Sequence, residues 1–400
     1  MSDSTRDQFI IGGGLGGLTA AYVLAEAGCN VALIDRSLPD ANGALGGFTG
    51  FSGAKFSVLP AGQGLIPVAG TVERLQQATS EVLRFFDIEG RRAIETNDTS
   101  ADTPLANGGV IRRYESIVLT PQEIERAIQT VSHRVKGSVA VLDGKVSELR
   151  RIGSQWVAFG AGGEIARARF AIFAAGRTGG SLLRGAGATP QEGKGIDLGV
   201  RIEFLDRRAL QQLRERGPDA KILMGRTRTF CLNHPGIVYR YPFLDISIPG
   251  GIVADQSHPS ANVGLLTRVS RKNEALDAVL RYLRTLPQNT YESASVVRGA
   301  PFQDKMAMLN AAYGPVVADE LQNFAGMLNE TGLMDWNRDH RIHFPLLDWH
   351  WDTFGIGSTH RTDQPGLYVA GDAAGHARGL LQAGISGWLA ANELLADARE

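Results

Sequence analysis

Phe9-Ile-Ile-Gly12-Gly13-Gly14-Leu15-Gly16-Gly17-Leu-Thr-Ala-Ala-Tyr22 reads as a strand, a glycine turn and a helix start in immediate succession. Gly12, Gly14 and Gly17 hold the spacing G-x-G-x-x-G. The first permits a tight turn, the second lets backbone approach a pyrophosphate, and the third lets helix and strand pack closely. Leu15 and Gly16 open the helix, whose unpaired N–H groups and positive dipole end favour an anion. A glycine turn alone can be a mere tight connection. Here the helix expected over 15–27 ends at Gly28, a strand follows over 30–34, and Asp35-Arg36 close it. Asp35 follows Gly17 by 18 residues, close to the roughly 20 of a dinucleotide fingerprint, which places its carboxylate to accept from a ribose hydroxyl.

Outward from this cradle, 400 residues exceed one core of ordinary size, so two domains, or one discontinuous domain with an insertion, are expected. Lys and Arg number 41 against 42 Asp and Glu, a net charge of -1, which gives no electrostatic ground for nucleic acid or anionic membrane as a partner. Cys29 and Cys231 are too few for a disulfide framework, and Met1–Asp7 lacks the basic start and apolar core of a signal peptide. No apolar run approaches the roughly 18 residues that span a bilayer. A soluble, cytoplasmic protein is the expectation.

Along the chain, 39–57 is a glycine-rich loop containing Gly46 and Gly47, and its Phe48, Phe51 and Phe56 are residues that a solvated linker would not carry. A helix is expected over 71–86, with Val72, Leu75, Ala78, Val82 and Leu83 on one face, and a surface loop over 89–107. A short helix over 121–131 leads into strands at 138–142, 145–152 and 155–159, read as an antiparallel meander. Residues 168–180 form a buried strand that emerges at Ala174-Ala175-Gly176. Strands at 199–204, 236–241 and 263–269, one helix over 273–286 and an aromatic stretch through Trp336, Trp349 and Trp351 make a second, substrate-facing unit. Then 365–375 repeats the strand-to-glycine theme at Gly371-Asp372, and 380–398 closes the chain as a helix. The fold class expected is α/β: a discontinuous nucleotide-binding, Rossmann-like domain from 1–60, 105–195 and 360–400, with an inserted β-rich substrate domain over 196–359. Residues 61–104 form a helix and a surface excursion.

These three glycine-terminated strands together resemble the FAD-binding family with a glutathione-reductase-type Rossmann domain. Its N-terminal fingerprint is matched by Gly12, Gly14, Gly17 and Asp35. Its Ala-Thr-Gly strand end is matched by Ala174-Ala175-Gly176, with Ala in place of Thr, and its Gly-Asp motif by Gly371-Asp372. Gly46-Gly47 and Phe51-Ser52-Gly53-Ala54-Lys55 further resemble the Phe-Ser-Asp-Gly-Lys loop of bacterial FAD-dependent dehydrogenases, with Gly-Ala in place of Asp-Gly. Segments 195–203, 229–236 and 375–387 are similar to that group as well, and the departure at Gly53-Ala54 leaves a shared substrate open. The resemblance implies non-covalent FAD. Asp372 would accept from a ribityl hydroxyl or sit beside the pyrophosphate. The helix from Gln382-Ala383-Gly384-Ile385 would aim its N-terminus at the pyrimidine edge of the flavin, and backbone at Val146 would clamp the adenine.

A flavin performs the redox step, so the protein has to orient a substrate at N5 and supply proton transfers. The catalytic candidates are Lys55, Cys231, His376 and Arg378. The competing structural readings are a solvated lysine for Lys55 and a small core residue for Cys231, while His376 or Arg378 could hold an anionic substrate or exchange a proton. His340, His343, His350 and His360 lack a closed zinc spacing, and no metal is expected. Trp349-His-Trp351 is similar only superficially to a halogenase motif and reads as aromatic packing. A single fingerprint argues against a separate NADPH domain. NAD(P)H binding transiently, a protein electron donor or the small-molecule substrate itself could reduce the flavin. The expected function is an FAD-dependent dehydrogenase or reductase. A flavin monooxygenase is the alternative within enzymes, and a flavin-bearing redox sensor or binding module the alternative outside them. Residues 229–236 and the loop ending at Lys55 are expected on opposite sides of one cavity.

Overall fold

Apolar runs such as Phe9-Ile-Ile and Phe170-Ala-Ile-Phe suit strands covered on both faces. The computed structural model describes residues 6–36, 45–90, 102–105, 107–191, 193, 195–270, 272–287, 290–292, 294–299, 301–302, 305–348 and 351–399. Leu367–Val369, Phe170–Phe173, Gln8–Ile11, Val31–Asp35 and Ala140–Asp143 lie side by side in that order as a five-stranded parallel sheet. Alternation at period two then divides their side chains. Ile10, Leu33 and Ile172 face a core built with helices Leu15–Glu26, Val72–Phe85, Pro121–Ser138 and Leu380–Asp397. Phe9, Ile11, Ile34 and Phe173 face a small antiparallel sheet of Glu148–Ile152, Gln155–Gly160 and Gly163–Ala168, where Trp156 is buried.

The N-terminal helix meets the turn after its strand, and the C-terminal helix meets the N-terminal helix, backbone to backbone. A Cβ on Gly17 would fall inside the contact radius of the Gly12 carbonyl oxygen, and one on Gly387 inside that of the Gly16 carbonyl oxygen. No side chain fits at either point.

A second sheet has seven antiparallel strands in the order His340–Asp348, Ile196–Phe204, Ala261–Val269, Thr227–Asn233, Lys221–Met224, Val110–Arg112, Asp102–Pro104. Leu198, Val200, Ile202 and Phe204 pack on one face with residues of helices Lys272–Arg284, Met306–Tyr313 and Pro315–Glu330. The alternate residues Asp197 and Arg201 therefore lie on the other face. A hairpin, Gly236–Phe243 with Ile246–Val253, stands beside it. Among the described residues no helix is long and apolar enough to cross a membrane.

Several expectations need correction. Ala140–Asp143 does not belong to the meander but extends the parallel sheet beside Val31–Asp35, and Gly163–Ala168 takes its place as the third meander strand. The helix preceding it begins at a capping box, in which Thr120 Oγ accepts from Glu123 N (3.3 Å) and Glu123 Oε2 from Thr120 N (2.8 Å). It continues to Ser138 because Val131 and Val135 keep its apolar face in the core. In the expected excursion, Val72–Phe85 is a core helix capped by Thr71, while Asp102–Pro104 and then Val110–Arg112 join the edge of the seven-stranded sheet. Residues 91–101 of that loop lie outside the described residues. The helix expected over 273–286 is followed by two that were not expected, Met306–Tyr313 and Pro315–Glu330. Pro315 starts the longer one, and Val317, Leu321, Phe324 and Leu328 bury its apolar stripe.

Gly387→Ala is expected to lower stability by about 1–3 kcal/mol, the cost of overpacking. Gly137→Ala, in a helix with open space around the added methyl, should be neutral or stabilising by up to about 1 kcal/mol. Urea unfolding of both variants beside the parent checks the pair.

Candidate functional site

Three parallel strands, Gln8–Ile11, Phe170–Phe173 and Leu367–Val369, run at their carboxyl ends into glycine turns at Gly12, Gly176 and Gly371, all at positive φ. Carboxyl ends of such a sheet are where ligands bind. The three turns border one cleft of about 1620 Å3, which continues onto the charged face of the seven-stranded sheet. Ordinary small-molecule sites hold roughly 300–1,000 Å3, so there is room for two ligands end to end.

At the nucleotide end, a Cβ on Gly14 would meet nothing within 4 Å, which leaves the helix N-terminus open to the cleft. The second glycine loop backs onto this turn: Gly46 N donates to Gly13 O at 2.7 Å, and Gly47 lies against Gly14. Burial pushes the Asp35 carboxyl up from its ordinary value, although the N–H groups of Gly13 and Arg36 pull against that shift. Leu15, Gly16, Arg36, Val146, Ala175, Asp372, Gln382 and Ala383 also line the cleft. Gly17, Gly384 and Ile385 do not. Gly17 is pressed on Gly12, Gly384 faces Val82, and Ile385 lies in the core. With Gln382 and Ala383 at the cleft, helical rotation carries the next two residues away from it.

Groups to which the sequence reading gave no role at the Gly-Asp turn hold it in place. Gly371 N donates to Ser386 Oγ (2.9 Å), which also bonds His360 Nε2 (2.9 Å). Trp351 Nε1 donates to the Asp372 carbonyl at 3.1 Å, while the Gln382 amide is occupied in holding Ser57 O at 2.7 Å.

At the far end the catalytic candidates have definite partners. Lys55 is not solvated: its side chain is 9% exposed, pairs with Asp219 at 3.3 Å and donates to the Leu232 carbonyl. Its loop therefore touches strand Thr227–Asn233 directly instead of facing it across a gap, although Lys55, Phe230 and Cys231 all line the cleft. Burial would raise the Asp219 carboxyl, but Lys221 and Lys55 hold it below its ordinary value. Cys231 takes a positive φ of 47° and turns its carbonyl to Arg201 (3.3 Å) and Asn233 (3.1 Å). His376 Nε2 bonds Thr359 O at 2.7 Å. Arg378 pairs with Asp348 and stacks over Trp351 at 4.8 Å.

Asp197 and Asp348 sit directly opposite each other on neighbouring strands, both 1% exposed. Two like charges so placed repel, and arginines gather around them. Arg228 reaches Asp197 at 2.6 Å and Asp348 at 3.5 Å, Arg268 pairs with Asp197, and Arg177 lies 4.0 Å from Asp348. Burial opposes ionisation of Asp348, yet Arg378 and its neighbours hold the carboxyl below 3.8. None of these pairings could be read from spacing, because each joins segments far apart in the sequence. His340, His343 and His360 bond separate partners, Arg338 O, Glu203 and Ser386. Trp349 and His350 lie outside the described residues.

Residues 10–38 match the family model described as the NAD(P)-binding Rossmann-like domain. No curated protein sequence matches the chain. Among solved structures, a flavoprotein/dehydrogenase from Cytophaga hutchinsonii is 14% identical (TM-score 0.46, covering 98% of this chain and 79% of that one). A geranylgeranyl bacteriochlorophyll reductase-like protein from Thermoplasma acidophilum is 15% identical (TM-score 0.47, 99% and 79%). Glycine oxidase from Bacillus cereus is 11% identical (TM-score 0.46, 98% and 96%).

Asp348→Asn turns a neutral amide toward Arg378, at an expected cost of about 3–5 kcal/mol at pH 7. Because the folded-state pKa is depressed, this stabilisation is full above the ordinary value of 3.8 and is lost as pH falls through the lower folded value. The gap in urea midpoint between parent and variant should therefore narrow below that value.

Proposed function

We propose that the protein is an FAD-dependent oxidoreductase of the dehydrogenase or reductase type, exchanging a hydride between a small organic substrate and flavin N5. The observation that carries this reading is the run of three glycine-terminated parallel strands along one cleft that continues onto a charged sheet face. The residues present fit such a cofactor. Gly14 leaves space at the helix N-terminus, Gly12 stands where a Cβ would strike Ala174 O and Ala175 at 2.6 Å, and Asp35 faces the same end.

Gly14 to Gly16 and their helix would hold the pyrophosphate, Asp35 the adenosine ribose, and Val146 the adenine. Asp372 would take a ribityl hydroxyl, and the N-terminus of helix Leu380–Asp397 would face the pyrimidine edge. FAD supplies the hydride chemistry when bound. The chain supplies the surroundings. Phe230, Tyr241 and Arg378 line the substrate end, where aromatic rings and a stacked guanidinium keep water from the reacting face. His376 lines the cleft, and its Nε2 donates to the Thr359 carbonyl, which fixes the orientation of the ring there. Reducing equivalents would come from NAD(P)H, a partner protein or the substrate itself.

Chromophore released by heat from the purified protein is expected to be FAD. FMN, or no flavin after reconstitution, would overturn the proposal. Asp35→Ala should weaken FAD binding by about 1–3 kcal/mol, read by fluorescence titration of the apoprotein. Substrate-dependent oxygen consumption with NAD(P)H would assign a monooxygenase instead. Partner binding that changes with flavin reduction, without turnover, would assign a redox sensor.

A further inference from the structure

Five arginines of the cleft, Arg177, Arg201, Arg228, Arg268 and Arg378, share a wall in which Asp197 and Asp348 are the buried carboxylates of the sheet face. Four of them are matched to those two groups. Arg201 is not. It is 1% exposed, and its Nη1 donates only to neutral acceptors, Asn262 Oδ1 at 2.8 Å and Cys231 O at 3.3 Å. Its Nε is buried with no partner among the described residues.

A buried cation held by neutral groups is unfavourable unless something pairs with it. Burial depresses its pKa, yet a guanidinium keeps its charge at neutral pH. Although tightly packed, Arg201 borders the cleft. Across the sheet from Arg201 stands Gly264, where the side chains of Leu346 and Phe230 close in. A Cβ on Gly251 would lie 2.5 Å from Arg201 Nη1, so only glycine is tolerated where the hairpin passes over the guanidinium. The Phe230 ring collects the Arg201, Arg228 and Arg378 guanidinium carbons at 5.9, 5.2 and 5.5 Å. This end of the cleft is therefore positive and aromatic-walled, although the chain's net charge is -1.

We propose that Arg201 is the anchor for an organic carboxylate, so that the substrate class of the cleft is a small carboxylic acid carried as its anion. Asp348 acts on Arg201 only at longer range, and the ligand carboxylate supplies a counter-charge in direct contact, accepting from the unpartnered Nε–H in a planar geometry that suits a guanidinium. The assignment relies on the oxidoreductase reading for calling the ligand a substrate, and on Arg201 alone for the ligand's chemistry.

The experiment is a thermal-shift titration of the purified full chain with benzoate, benzamide and sulfate, with the flavin content of each sample measured separately. Benzoate is expected to raise Tm, and benzamide and sulfate to leave it unchanged. Arg201→Met should weaken the benzoate response at least about tenfold, and Arg201→Lys should keep a weaker one. The proposal is overturned if benzoate and benzamide act alike, if sulfate matches benzoate, if no benzoate response occurs, or if Arg201→Met responds like the parent. Should Arg201→Met fail to fold, the parent comparison and Arg201→Lys decide. A benzoate response in protein that cannot take up flavin would sink only the FAD reading. Flavin present without a carboxylate preference would sink only this one.

Discussion

Backbone pressed on backbone at Gly12, Gly16, Gly17 and Gly387 sets the geometry on which the nucleotide end depends. Because no side chain intervenes, helix Leu15–Glu26 starts immediately at the end of its strand, and helix Leu380–Asp397 crosses it at contact distance. Two helix N-termini are thereby brought to the same edge of the parallel sheet. Each presents unpaired N–H groups there, so the positive ends of two dipoles open toward a cleft that a phosphate-bearing ligand suits. Adding even one methyl at Gly17 would push helix from strand and misplace Gly14.

The opposite end is governed by charge. A sheet with one face under helices must place its alternate residues on the other face, and here those residues include Asp197, Arg201 and, across the strands, Asp348, Arg228 and Arg268. Two carboxylates opposite each other are tolerable only with cations wedged between them. Arg228, which reaches both, is the wedge. Arg378 ties this cluster to the Gly-Asp turn, since it pairs with Asp348 and stacks on Trp351, whose indole holds the Asp372 carbonyl. Arg177, 4.0 Å from Asp348 and 5.4 Å over the same indole, makes a second link between nucleotide end and charged face. Overall charge near zero conceals a local surplus of guanidinium groups, which composition alone could not reveal.

The rim between the ends is aromatic. Phe48 meets Tyr241 edge-on at 5.4 Å, Phe51 lies 5.6 Å from Tyr239, and Arg177 donates to the Tyr241 hydroxyl at 2.9 Å. The phenylalanines of the glycine-rich loop therefore close on the hairpin Gly236–Phe243 and Ile246–Val253. This is the physical reason that a loop so rich in glycine also carries large apolar side chains.

Sequence alone determined the elements whose signals are local. The strand, glycine turn and helix at 9–26, the strand ends at Ala174-Ala175-Gly176 and Gly371-Asp372, and the apolar stripe of 71–86 can be read because each depends on neighbours within a few residues. Most of the expected nucleotide-end residues line the cleft for the same reason: a turn dictates its own ligand face. Tertiary structure alone decided the rest. Ala140–Asp143 became a parallel strand because its partner, Val31–Asp35, lies a hundred residues earlier in the chain. Lys55 found Asp219, 164 residues away, and ceased to be a free cation. Arg201 stands out only once the fold has set Arg177, Arg228, Arg268 and Arg378 against carboxylates and given Arg201, among the described residues, no carboxylate in direct contact. Charge pairing of this kind acts between distant strands through a few ångströms of space, and sequence spacing carries no record of it.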